Sequence, residues 1–180
     1  MKNDPRPLIG EPLALDLVDT EWREDGDRRD LLADVAGLRV WLRSAGVDGA
    51  ADDAMLRHLR TARAAIRGVL ERPGDADARG ALNAVLARGH VAARLDDVGR
   101  PVEDVVVADA AWRPAYLAAR NLLALLRDHP SRLRQCAGSG CILHFLDTSR
   151  SGRRQWCSMS VCGNRAKARR HYARSRGASG

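Results

Sequence analysis

The chain has 180 residues, with 30 Lys and Arg against 23 Asp and Glu and a formal net charge of +7. Its length suits one ordinary domain, or a domain of about 130 residues followed by a small metal-stapled one. A membrane span of about eighteen apolar residues is not expected, because the longest candidate, 117–126, is interrupted by Arg120 and Asn121 and followed by Arg127.

Residues 8–20 satisfy two patterns. Leu13, Leu17 and Val18 fit a helix, whereas Leu13, Leu15 and Leu17 fit a strand, and the helix is preferred. Asp16 and Asp19 lie three apart, a spacing that usually faces solvent or serves an arginine. A catalytic pair would need a pocket holding both carboxylates. Asp30 can cap a helix that returns Leu31, Val35, Leu38 and Trp41 or Leu42 to one face and ends at Gly46. Met55, Leu59, Ala62, Ile66 and Val69 form the apolar stripe of a second helix over 52–71, closed by Pro73 and Gly74. A shorter helix is expected over 76–87, with Leu82, Val85 and Leu86 inward. Residues 91–95 and 102–107 then read as a β-hairpin turning near Gly99. A long helix over 109–128 places Trp112, Tyr116, Leu122, Leu123 and Leu126 on its buried side, with Pro114 in its first turn.

All four cysteines lie in the last quarter. Cys136 and Cys141 form one C-x4-C pair and Cys157 and Cys162 another. Two such pairs around a loop resemble the spacing of a four-cysteine zinc site. Two disulfides are the alternative, but no charged segment followed by an apolar run opens the chain, so a cytoplasmic, reducing environment is expected. A segment this small buries little apolar surface, and one structural Zn2+ contributes on the order of 10–16 kcal/mol toward its folding. The alternation over 142–147 predicts a strand that pairs with 154–157, with Phe145 and Trp156 as a small apolar core. Ser158 or Ser160 can cap a following helix through Arg165, Tyr172 and Ala173. His144 and His171 are spare metal candidates that four thiolates make unnecessary, and both are expected at the surface.

Charge divides the chain the same way. Residues 1–130 balance at −3, whereas residues 131–180 hold 11 basic side chains and a single acid, Asp147. Such asymmetry implies a polyanionic partner, and nucleic acid is the usual one. The cationic positions are Arg150, Arg153 and Arg154 at the predicted turn and Arg165, Lys167, Arg169, Arg170 and Arg174 on the predicted helix.

Cys162-Gly163-Asn164-Arg165, preceded by Asp147-Thr148-Ser149-Arg150 and by Arg153-Arg154-Gln155-Trp156-Cys157, resembles the CGNR zinc finger. Residues 10–20 are similar to the opening of the ABATE domain that precedes this finger, although Asp19 stands where Asn is common. The resemblance implies a stress-induced transcriptional regulator of bacterial type that binds DNA and ligates zinc through Cys136, Cys141, Cys157 and Cys162. Gly163 is read as allowing close backbone approach beside the last ligand. Asn164 either bonds a knuckle carbonyl or reaches an adenine, the first being preferred. Arg165 either pairs with Asp147 or contacts phosphate.

The expected fold is therefore mainly α with a small β-hairpin: a helical domain over 1–130 and a basic four-cysteine zinc finger, hairpin and helix, over 131–180. The first part is expected to sense a small-molecule effector or to form a homodimer. The alternative to DNA binding is a zinc-stabilised module for RNA or protein. No catalytic residues are assigned, and the protein is not read as an enzyme.

Overall fold

An aspartate precedes five of the eight helical segments among the described residues, and each of these carboxylates accepts an amide that the helix itself cannot satisfy. In the computed structural model, which describes residues 4–169, Asp52 caps α3 (Asp53–Glu71) through Met55 N at 2.8 Å, and Asp75 caps α4 (Ala76–Leu86) through Ala78 N at 2.7 Å. The helix expected from Asp30 is split. Asp30 caps a 3-10 turn, Leu31–Ala33, and Asp34 then opens α2 (Val35–Ala45) by accepting from Gly37 N. Gly37 makes the fold-back possible, since a Cβ there would meet the Leu31 carbonyl oxygen at 1.6 Å. Gly46, at φ 64, ends α2 in the left-handed region as the sequence suggests.

Two α-helices, α1 (Leu13–Val18) and α5 (Arg113–Asp128), depart from this scheme. The helix α1 follows Pro12 and has no side-chain cap of its own. Asn121 of α5 supplies the acceptor, taking the Ala14 amide at 3.0 Å. Before α5, Asp109 caps a separate 3-10 turn, Ala110–Trp112, so Trp112 lies outside the long helix. There it stacks on His58 with ring centroids 3.9 Å apart and lies under the Arg88 guanidinium. Leu123, expected on the buried face of α5, is exposed, and Leu125 takes its place.

Among the described residues, three antiparallel strand pairs accompany the helices. The hairpin β1 (Glu21–Glu24) and β2 (Asp27–Asp30) turns through Asp25 and Gly26, both at positive φ. The expected hairpin is β3 (Gly89–Leu95) with β4 (Pro101–Val107), Val91 facing Val105 in register. In the finger the predicted pairing is corrected. Strand β6 (His144–Leu146) pairs with β5 (Leu133–Gln135), Phe145 opposite Arg134, and residues 154–157 form no strand. Arg154 explains why: its amide bonds the Asp147 carboxylate, and its side chain donates to the Trp156 and Cys157 carbonyls instead of leaving the backbone free for a ladder.

One continuous apolar core joins α1, α2, α3 and α5 to the finger, with Leu17, Leu38, Trp41, Ile66 and Leu122 fully buried and Phe145 fully buried beside them. Strand β6 turns its Phe145 and Asp147 amide edge toward β5 and offers the His144 and Leu146 amides to the other side. Among the described residues, no further strand covers that edge. Two carboxylates do: Asp19 accepts from His144 N at 2.8 Å and Glu11 from Leu146 N at 2.9 Å. Glu11 also lies 3.6 Å from the Arg154 guanidinium, which sits over the Phe145 ring at 4.2 Å.

Replacing Glu11 with Ala strands the Leu146 amide and removes a partner of Arg154. A loss of about 1–3 kcal/mol is expected in urea unfolding. Glu11→Gln keeps an acceptor for the amide and should lose less than Glu11→Ala.

Candidate metal centre

Four sulfurs meet at one point of the finger. The Sγ atoms of Cys136, Cys141, Cys157 and Cys162 all lie within 4.8 Å of one another, with Cys141–Cys157 at 3.9 Å and Cys157–Cys162 at 3.7 Å. No disulfide joins them. Zinc–sulfur bonds of about 2.3 Å at tetrahedral angles put sulfurs about 3.8 Å apart, so the donor set fits the ion in both chemistry and size. Three of the cysteines are buried, and Cys141 is half-exposed.

Backbone amides complete the surroundings. Gly138 N and Cys157 N both point at Cys136 Sγ, at 3.4 and 3.3 Å. A Cβ on Gly138 would stand 2.9 Å from Cys162 Sγ, so this position requires glycine. Hydrogen bonds from the thiols of Cys141 and Cys157, then from these amides, hold Cys136 far below the ordinary thiol range. The same contact with Cys136 pushes Cys141 up to about 12 and raises Cys157 as well. Clustered thiols alone therefore resist ionising together, and a divalent cation at their centre reverses that preference.

The comparisons agree with this geometry. Residues 132–175 match the CGNR zinc finger, and residues 11–129 match ABATE, described as "Putative stress-induced transcription regulator". The chain belongs to the ABATE family. The four-cysteine site in its CGNR finger is that of one structural zinc. Both family descriptions are of regulator and zinc-finger type. A search of curated proteins finds no match.

Other sequence-derived assignments for this ABATE protein meet mixed outcomes. Asn164 Nδ2 donates to the Ser160 carbonyl at 3.3 Å, inside the second knuckle. The Gly163 amide goes to the Ser158 carbonyl rather than to a sulfur, and the space above its Cα is taken by the Met159 thioether. Ser158 precedes a short π-turn, Met159–Gly163, without capping it, because its hydroxyl bonds that of Ser160. Arg165 does not pair with Asp147. It donates to Cys162 Sγ at 3.5 Å, while Asp147 is buried and accepts from Ser149 N, Ser149 Oγ and Arg154 N. Those bonds, led by the Ser149 hydroxyl, hold its carboxyl below the usual range.

Among the predicted cationic positions, Arg150, Arg153, Arg165, Lys167 and Arg169 are exposed. Arg154 is half-buried and committed to the finger's interior. Arg170, His171, Tyr172, Ala173 and Arg174 lie outside the described residues.

His144 is the main correction. It is 3% exposed rather than at the surface, and burial together with the nearby Arg67 charge lowers its pKa to about 4. Asp19, 1% exposed, has one oxygen on the His144 amide and no partner for Oδ2. Burial pushes its carboxyl well above the usual range despite that hydrogen bond. Asp16, by contrast, serves arginine: it accepts from Arg6 Nη1 at 2.7 Å, Trp41 Nε1 at 2.9 Å and Gly10 N at 3.0 Å. Neither carboxylate lines any of the described clefts.

Metal analysis should find one zinc per chain, and Cys136→Ser or Cys162→Ser should abolish it. Chelation should collapse the circular dichroism and proteolytic resistance of the finger.

The two buried titrating groups bend stability in opposite senses. Folded His144 stays neutral down to about 4, whereas the unfolded ring protonates near 6.5, so its contribution is complete above pH 6.5 and is lost as the pH falls toward 4. Folded Asp19 keeps a proton that the unfolded chain releases near 3.8, so it opposes folding increasingly as the pH rises above that value. Asp19→Asn keeps the acceptor and removes the ionisation. Urea unfolding at pH 5 and pH 8 should show the variant's advantage over the parent growing with pH.

Proposed function

We propose that this protein is a DNA-binding transcriptional regulator of the bacterial cytoplasm, in which the zinc finger supplies the DNA contact. One observation carries the reading. Within residues 131–180 the single acid is Asp147, and it is buried and bonded to Ser149 and Arg154, while Arg150, Arg153, Arg165, Lys167 and Arg169 are exposed. The described finger therefore offers solvent cations and no exposed carboxylate of its own. Such a surface gains affinity for a phosphate backbone by releasing condensed counterions. The closed thiolate site gives zinc a structural role, with four protein ligands and no open position for substrate.

The division of labour follows the charge. Residues 131–180 hold DNA, and residues 1–130 regulate that act, by sensing a small-molecule effector or by pairing two copies. No described helix is long and apolar enough to cross a membrane.

Fluorescence anisotropy against duplexes enriched from random DNA tests the reading. Neutralising about five phosphates predicts that log K falls with log salt at a slope of roughly −4 to −5. Removing Arg150 and Arg153 together should reduce the slope by about 2 while leaving zinc content unchanged. An affinity indifferent to salt, or stronger binding to structured RNA than to any duplex, counts against DNA as the partner.

A further inference from the structure

Arg165 stands between two clefts of opposite character. One, of about 370 Å3, runs under the β1–β2 turn and is bordered by Glu24 and Asp25 as well as by Arg23. The other, of about 540 Å3, lies between the first cysteine knuckle, Gln155 and Trp156, and the helical residues 164–169. Arg165 and Arg169 both line this second cleft, and no carboxylate does. The two arginines are four residues apart in helical conformation, so their side chains project from the same face.

We propose that this second cleft seats one nucleotide of the bound DNA strand, with Arg165 and Arg169 on its phosphate, Trp156 against its sugar, and the Gln155 amide at the base edge. The inference rests on the DNA-binding reading above and says where on the finger the strand lies. Each part of the cleft has a matching part in the ligand. Planar guanidinium forks hold phosphate oxygens through paired hydrogen bonds. An indole gives the sugar and base an apolar wall. A glutamine amide, donor and acceptor side by side, matches the N6 and N7 edge of adenine. The volume is that of a site for one small ligand unit. The neighbouring cleft lacks this match, because the carboxylates of Glu24 and Asp25 oppose an approaching phosphate.

Gln155→Glu tests the placement in the full zinc-loaded chain. The side chain is exposed, so the change adds one negative charge to the cleft with little cost to folding. Binding to the enriched duplex should weaken about five- to tenfold near 0.1 M salt, with the loss shrinking as salt rises. Asn83→Asp, the same charge change at an exposed position of α4, should leave affinity unchanged. Trp156→Phe keeps an apolar wall and should bind DNA, but it should lose the tryptophan emission change that the parent shows on adding DNA. If Gln155→Glu binds like the parent while loss of Arg150 and Arg153 impairs binding, the strand lies elsewhere on the finger and the cleft assignment falls alone. If the parent binds no duplex in any sequence, both readings fall.

Discussion

The pairing of two carboxylates with the free edge of β6 holds the rest of the arrangement in place. A three-residue strand at a sheet edge exposes amides that must find acceptors once the strand is buried. Asp19 and Glu11 provide them from the end of α1 and the loop before it, alternating along the strand as its period of two requires. Phe145 lies between those two amides in sequence and is completely buried. The finger's single phenylalanine thus belongs to the main core, and Arg154 covers its ring while reaching toward Glu11.

This arrangement explains why the charges of the finger separate so cleanly. Arg154 and Asp147 are turned to internal work, and what remains outside is cationic. The β1–β2 hairpin is handled in the same manner. Arg63 bonds Thr20 and Asp30 while lying 3.0 Å from Glu21, and Arg67 pairs with Glu21 and donates to the Val18 carbonyl. A charged ribbon is thereby tied to α3 instead of floating in solvent, and its acidic turn is held beside the knuckles.

Much of this was legible in the sequence wherever local chemistry decides. Aspartates before apolar stripes mark α3 and α4, Gly46 marks an end, and two C-x4-C pairs mark a cluster whose sulfurs do converge. What escaped depends on partners distant in the chain. The β1–β2 hairpin carried a signal, Asp25-Gly26, but its strands read Glu-Trp-Arg-Glu and Asp-Arg-Arg-Asp, without the alternation that marks a half-buried strand. The partner of β6 differs from the expected 154–157 because short strands look alike in sequence and only the register with Leu133–Gln135 separates them. His144 is a metal candidate that four thiolates leave unused, and a spare ligand is expected at the surface. Nothing local announces that an aspartate 125 positions away takes its amide into the interior.

The shared core has a thermodynamic corollary. Because Phe145 and three of the metal-binding cysteines pack in the same cluster as Trp41 and Ile66, ligand occupancy at one end is felt at the other through mass action. Zinc held by the finger therefore adds stability to the helical layer that shares its core.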